Sequence, residues 1–153
     1  MSKKNMTKIV SKKGFTLLEI LLVVGIISIL AGIVILAINP TKQLGDTRNA
    51  QRRSDVLTIL NAIYQYTLDE GHTLDDLGIG STDTCDADAT DAYGLDTYLV
   101  GEGATYVTAI PIDPVDGVAN TSSGYFADVN STTGRITVCA PSAENSVTIS
   151  VTR

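Results

Sequence analysis

An uninterrupted apolar run from Phe15 to Ile38 constrains this chain more than any other feature of its sequence. The run has 24 residues, and Glu19 is the only charged residue within it. Because an α-helix rises about 1.5 Å per residue, a helix of this length measures roughly 36 Å and can cross a hydrocarbon core about 30 Å thick. The sequence therefore predicts a membrane-spanning helix over residues 15–38.

Glu19 is unusual in such a span, because a charge at mid-bilayer costs roughly 2.5–3.5 kcal/mol and calls for a partner. Gly14 and Phe15 stand directly before the span, after a lysine-rich segment. Cleavage after Gly14 would create an α-amino group at Phe15, about one helical turn before Glu19. The five lysines of the preceding segment are Lys3, Lys4, Lys8, Lys12 and Lys13.

The segment Lys12-Lys13-Gly14-Phe15-Thr16-Leu17-Leu18-Glu19 resembles the class III leader of type IV pilins and of type II secretion pseudopilins. The resemblance implies cleavage between Gly14 and Phe15 by a prepilin peptidase and N-methylation of Phe15. It also implies that Glu19 pairs with the Phe15 amine of a neighbouring subunit. Copies of the chain and other pilins would then assemble into a filament on an inner-membrane assembly platform.

Two other interpretations of the apolar run exist. In an ordinary signal anchor, Glu19 would only extend to the membrane interface. A secretory signal peptide fits less well, because its apolar core usually has about 7–15 residues and ends at a small-x-small site. This run is longer and leads into Asn39-Pro40.

The charge distribution indicates an exported, acidic head. The chain has 11 basic and 17 acidic residues, and five of the basic ones lie in the leader. Such a head is a poor partner for nucleic acid, whose phosphates bind Lys and Arg. The leader lysines predict a cytoplasmic N-terminus. We therefore expect a single-pass inner-membrane protein with its C-terminal head outside the cytoplasm, and a surface pilus or an envelope pseudopilus after assembly.

Cys85 and Cys139 both fall in the exported part, which favours a disulfide; two free thiols are the alternative. A bond closing a loop of about 55 residues would stabilise the fold by roughly 4 kcal/mol. The chain has one histidine, His72, and no CxxC pair. We find no catalytic constellation and no metal-ligand spacing, so the sequence predicts neither an enzyme nor a cofactor.

Four segments follow from these patterns: a leader at 1–14, the span at 15–38, a kinked amphipathic continuation of the helix at 39–70, and an acidic head at 71–153. Pro40 is expected to kink the helix, because it lacks an N–H and its ring crowds the preceding turn. Gly71 is expected to end it. One face of the continuation is predicted to be apolar, formed by Val56, Leu60, Ile63, Tyr64 and Thr67 and widened by Leu57 and Leu68.

A basic patch lies between the span and the head, formed by Lys42, Arg48, Arg52 and Arg53. It is either a solvated face near lipid headgroups or a surface that meets acidic head residues of adjacent subunits.

The first part of the head is expected to be loops. Thr73 is predicted to cap one helical turn that stops at Gly78. Next comes an acidic stretch around Cys85, which we interpret as a solvated loop rather than a calcium site, because its spacing does not match an EF-hand. Its acidic residues are Asp83, Asp86, Asp88 and Asp91.

The rest of the head predicts an α+β fold. Runs at 125–129, 135–140 and 147–152 are expected to form an antiparallel meander of three to four strands packed on the long helix. Thr105–Ile110 has strand propensity, but the following Pro111-Ile112-Asp113-Pro114 resembles a segment that follows a helical turn in major pseudopilins. That pattern continues with Trp-Gly, where this chain has Val115-Asp116-Gly117.

The sequence thus predicts a structural subunit of a type IV pilus-like filament. A type II secretion pseudopilin is the near alternative, and a membrane-anchored binding module is a more distant one.

Overall fold

The computed structural model describes residues 14–69, 71–85, 89–101 and 105–153, so the leader residues 1–13 and the side chains of Asp86 and Asp88 lie outside it. The chain divides into two compact units, one ending at Pro40 and the other comprising Thr41–Arg153. The first unit carries helix α1, and the second is the head.

Two long helices occupy the first half of the chain. Helix α1 comprises Leu17–Ala37, with Ile38 as its C-cap, and helix α2 comprises Pro40–Leu68. The predicted helix is therefore interrupted at Ile38–Asn39, and Pro40 is the first residue of α2. A proline disfavours helical backbone at the residue before it, and its missing N–H is not needed in a first helical turn.

Helix α2 packs on the rest of the head through a face centred on Ile59 and Ile63, both fully buried. The prediction that Leu57 and Leu68 widen this face is wrong, since they are 46% and 81% exposed. Their positions are more than a quarter turn away from the centre of the face. The buried apolar residues of α2 are Val56, Ile59, Leu60, Ala62, Ile63 and Tyr66.

A four-stranded antiparallel sheet covers that face, in the order β1-β2-β3-β4. The strands are β1 (Thr90–Asp91), β2 (Phe126–Val129), β3 (Ile136–Ala140) and β4 (Ile149–Thr152). In the central pairing Phe126 lies opposite Cys139, and Cys139 lies opposite Ser150. The α+β prediction is confirmed, because each of the three predicted runs contains a strand.

Thr105–Ile110, directly before the Pro-Ile-Asp-Pro turn, is irregular, and the helical residues lie earlier in the chain. A 3₁₀ helix at Ala92–Leu95 leads into the four-residue helix α3 (Asp96–Leu99), and Thr105–Ile110 contains no strand. Leu95 and Leu99 are buried in the core together with Tyr125, Ile136 and Val138. Ile110, at the end of the irregular segment, is buried in the same core.

Acidic side chains in the loops make more internal contacts than the sequence predicted. Thr73 does not cap the 3₁₀ helix at Asp75–Leu77; instead its N–H and hydroxyl donate to the Asp76 carboxylate, at 2.7 and 2.9 Å. Asp83 accepts from the N–H and hydroxyl of Ser131, at 2.8 and 2.6 Å. The acidic loop is thus tied to the head at this point rather than fully solvated.

The predicted disulfide is present between Cys85 and Cys139. It joins the acidic loop to the central strand β3. Asp91, at the other end of the loop, accepts from the N–H and hydroxyl of Ser123 at 3.0 and 2.7 Å. The described residues contain no group of three or more His, Cys, Asp or Glu side chains able to hold a metal ion.

We expect Ile63→Ala to lower the free energy of unfolding by about 2–5 kcal/mol, because it leaves a cavity between α2 and the sheet. Leu68→Ala, on the same helix but exposed, should change it by less than about 0.5 kcal/mol. Denaturant unfolding of the full chain in detergent, followed by tyrosine fluorescence, measures both. Equal effects of the two substitutions would contradict this placement of the core.

Candidate assembly site

The start of α1 carries three of the residues singled out by the sequence: Gly14, Phe15 and Glu19. Thr16 is the N-cap, with extended backbone, and its hydroxyl accepts from the Glu19 N–H at 3.2 Å. Gly14 and Phe15 therefore lie in a non-helical segment just outside the helix. The sequence reasoning missed Thr16, although a Thr three residues before a Glu and in front of an apolar run is the pattern of a helix N-terminus.

Glu19 lies in the first turn of α1, where the N–H groups have no carbonyl partners within the helix. A carboxylate in this position is favoured by the helix dipole by about 0.3–1 kcal/mol. The helix dipole is therefore one reason why the Glu19 carboxylate is tolerated at the start of an apolar helix. Its contribution is small compared with the cost of a charge at mid-bilayer.

Apart from Glu19, helix α1 presents only uncharged residues, all of them exposed. Its 21 residues make it the one helix among the described residues that is long and apolar enough to cross a membrane. An exposed surface of this kind has to be covered by lipid or by other protein chains. The geometry of α1 is therefore that of an anchoring or assembly element.

In the head, Arg52 is the centre of a buried ion network. Its Nε and Nη2 donate to the two carboxylate oxygens of Asp113 at 2.6 and 3.0 Å, and Nη1 donates to Glu144 at 2.9 Å. The side chains of Arg52 and Asp113 are both fully buried. Asn49 completes the network, because its side chain accepts from Arg52 and from the Glu144 N–H.

The network shifts the pKa values of its members in the directions that favour charge. Burial raises the pKa of Asp113, but hydrogen bonds from Arg52 and from the N–H groups of Val115 and Asp116 outweigh it, so the pKa lies below its usual range. The hydrogen bond to Asp113 raises the pKa of Arg52 despite the burial of the guanidinium. Both groups are therefore ionised near neutral pH.

Asp113 also organises the Pro111-Ile112-Asp113-Pro114 turn. Its Oδ1 accepts from the N–H groups of Val115 and Asp116, at 2.8 and 3.1 Å. The chain folds back so closely that a Cβ at Gly117 would lie 2.2 Å from the Ile112 side chain. A residue other than glycine would displace this turn.

The loop between β3 and β4 lies on the first half of α2. Arg48 pairs with Glu144 of this loop at 2.8 Å, and the Asn145 amide donates to the Lys42 carbonyl and to Asp46. A second contact holds α2 further along, where the buried Tyr125 hydroxyl donates to Asp55 at 2.7 Å. Both contacts join α2 to the sheet side of the head.

The two interpretations of the basic patch are therefore wrong for Arg48 and Arg52. Their acidic partners belong to the same chain, and Arg52 has no exposed surface. Arg53 alone among the three arginines is exposed. Sequence spacing could not have paired Arg52 with Asp113, because 61 residues separate them.

We expect Asp113→Asn to lower the free energy of unfolding by about 3 kcal/mol near neutral pH, because it removes one partner of a buried charge. The native pKa of Asp113 is depressed, so its stabilisation exists above the ordinary carboxyl pKa and is lost as the pH falls through the native value. The difference in the free energy of unfolding between the wild type and Asp113→Asn should thus become smaller as the pH falls from about 5 to about 2.

Asp116→Asn is the matched control for this measurement, because Asp116 is exposed and should contribute almost no stability. Denaturant unfolding across the pH series provides the values. A deficit for Asp113→Asn that stays constant down to about pH 2 would show that the ion pair does not act as described.

Comparisons with known proteins agree with the geometry of α1. Residues 10–35 match the family model of the prokaryotic N-terminal methylation motif. The type II secretion system core protein G of Escherichia coli strain K12 is 39% identical over 61 residues, which are 40% of this chain and 41% of that protein. No solved structure shows significant similarity to the chain.

The chain thus spans about two fifths of the length of this relative. The motif match contains Gly14, Phe15 and Glu19 and covers all but the last two residues of α1. The head independently has the α+β arrangement of a long helix packed on an antiparallel sheet. These findings support the resemblance to type IV pilins and type II secretion pseudopilins that residues 12–19 indicate.

Proposed function

We propose that this chain is a structural subunit of a type IV pilus-like filament, processed after Gly14 and assembled through α1. One observation carries the proposal: a wholly exposed apolar helix has a carboxylate in its first turn, within the matched methylation motif. A membrane anchor needs the apolar surface alone. A filament subunit uses the carboxylate as well.

Processing acts at an accessible bond. Gly14 and Phe15 lie before the N-cap. Apart from Gly14 and its two neighbours in the chain, no described residue has an atom within 4 Å of a Cβ built on Gly14. Exposed, non-helical segments of this kind are the preferred substrates of proteolysis. Cleavage by a prepilin peptidase would remove the leader lysines, and with them the charges that hold the helix end at the cytoplasmic face.

Assembly then places Glu19 in the apolar interior of a filament. An unpaired carboxylate is strongly unfavourable there, whereas the Phe15 amine of a neighbouring copy would neutralise it. Because α1 of one copy meets a different surface of the next copy, the association does not close and produces a helical filament. Charge pairing of Glu19 would set the axial position of each incoming subunit.

A type II secretion pseudopilin is the second candidate, and two observations favour it. The similar Escherichia coli protein is a core protein of type II secretion. The Pro111-Ile112-Asp113-Pro114 turn, which resembles a segment of major pseudopilins, is built into the head by the buried Arg52–Asp113 pair. Under either candidate the head lies outside the cytoplasm and α1 resides in the inner membrane before assembly on a membrane platform.

We expect Gly14→Val to block processing, because a side chain at this position would obstruct the peptidase. Mass spectrometry of the chain from membranes should give a mature N-terminus at methylated Phe15 in the wild type and the full leader in the variant. Ser11→Ala is the control and should be processed normally. A Gly14→Val chain that still begins at Phe15 would contradict cleavage at this bond.

We expect Glu19→Ala to leave insertion and processing intact while lowering filament yield by more than about tenfold, since the Phe15 amine would then lack its partner. Sheared filaments are compared with the cell-associated chain by immunoblot. Ser28→Ala, whose hydroxyl bonds only to the Val24 carbonyl of its own helix, is the control. Normal filament yield from Glu19→Ala would argue against the charge pair.

A further inference from the structure

Most acidic side chains of the head have a hydrogen-bond or ion-pair partner in the same chain, so the few without one are candidates for contacts with another molecule. Each described acidic side chain of the head has a hydrogen bond or ion pair within the chain, apart from Asp75, Asp96 and Asp116. Asp75 and Asp96 lie in the first turns of short helical segments. Asp116 has no side-chain partner among the described residues and does not lie in a helix.

Among the described arginines, only Arg53 and Arg135 lack a partner within the part of the chain that the structure describes. Arg48 and Arg52 are paired, and the Arg153 guanidinium lies 5.6 Å from the centre of the Tyr64 ring. Arg135 is exposed beside the polar turn 130–134. Arg53 is exposed on α2 and therefore presents a free guanidinium on the surface of the longest element of the head.

Asp116 belongs to an apolar projection that we call the 112–118 turn. Ile112, Val115 and Val118 are large apolar residues that remain 39%, 52% and 56% exposed. The turn is held in shape by backbone hydrogen bonds from Asp113 to Ser123 at 2.7 Å and from Val118 to Ser122 at 2.8 Å. It thus presents a carboxylate framed by apolar side chains on a preorganised backbone.

Arg53 belongs to an outer face of α2 with the complementary character. Between Thr47 and Gln65 it is the only exposed charged residue, and Leu57, one helical turn later on the same side, is the only exposed large apolar residue. The exposed neighbours are small or uncharged, among them Ala50, Ser54, Thr58 and Asn61. This face is therefore a neutral surface with one cation and one leucine.

We propose that the outer face of α2 in one copy of the chain binds the 112–118 turn of another copy, with Arg53 pairing with Asp116 and Leu57 packing on Val115 and Val118. The inference rests on the proposed function, because it makes this contact a lateral interface of the filament. The two surfaces match in charge and in apolar content, and each is left unpartnered by its own chain.

The contact would be heterologous, since it uses two different surfaces of the same chain. Such a contact repeats from copy to copy without closing, as the α1 contacts do. It would also join heads whose excess of acidic residues otherwise makes them repel one another. One arginine presented on a neutral face relieves that repulsion at a defined position.

The first test is crosslinking in assembled filaments of the full chain. A variant with both Arg53→Cys and Asp116→Cys is treated with a short bifunctional maleimide, without reductant, so that the native disulfide stays intact. We expect a ladder of crosslinked multimers, and no ladder from either single substitution. The control pairs Arg135→Cys with Asp116→Cys and should give no ladder.

The second test exchanges the charges. Arg53→Glu and Asp116→Arg should each lower filament yield by about tenfold, and the double variant should recover most of it. The loss should shrink at high salt, because exposed charges are screened. Arg135→Glu and Asp75→Arg are the matched controls and should assemble normally.

The outcomes separate this inference from the proposed function. If wild-type filaments form but the double cysteine variant gives no crosslinks, or gives dimers only, the interface is wrong while the filament subunit stands. Equal yields from all charge variants would overturn the interface in the same way. If the wild type forms no filaments together with its assembly partners, the proposed function is wrong, and the interface that rests on it is overturned as well.

Discussion

The ion network around Arg52 is the interaction on which the head depends. A guanidinium without exposed surface is tolerated because Asp113 binds it with both carboxylate oxygens and because Glu144 and Asn49 accept from its Nη1. Asp113 comes from the turn before β2 and Glu144 from the loop after β3. One side chain of α2 therefore holds two loops of the sheet side, and this fixes which face of the helix remains outside.

That arrangement explains the division of roles along the chain. Helix α1 is apolar on all sides and has no protein cover of its own, whereas α2 is apolar on one face and covered by the sheet. The boundary between them falls at Ile38–Asn39, where Pro40 prevents helical backbone at the residue before it. The exposed apolar helix and the head are thus separated in the sequence by two non-helical residues.

Much of this could be predicted from the sequence, because its strongest patterns are local. The apolar run, the Gly14-Phe15 motif with Glu19, the β-rich runs and the two cysteines each depend on residues close together or on a simple count. The two-residue strand β1 was missed because it contains too few residues to show alternation. The apolar stripe of α2 was misplaced because Ile59 and Tyr66 were not assigned to it.

The sequence by itself determined the apolar run, the match to the methylation motif, the α+β class and the acidic character of the head, because each depends on local residue order, periodicity or composition. Only the tertiary structure decided what the charges do. Arg52 and Arg53 are adjacent and chemically identical, yet one is buried against Asp113 and the other is exposed. Adjacent residues on a helix point about 100° apart, so the placement of the sheet, rather than residue type, separates a structural arginine from one free to bind a partner.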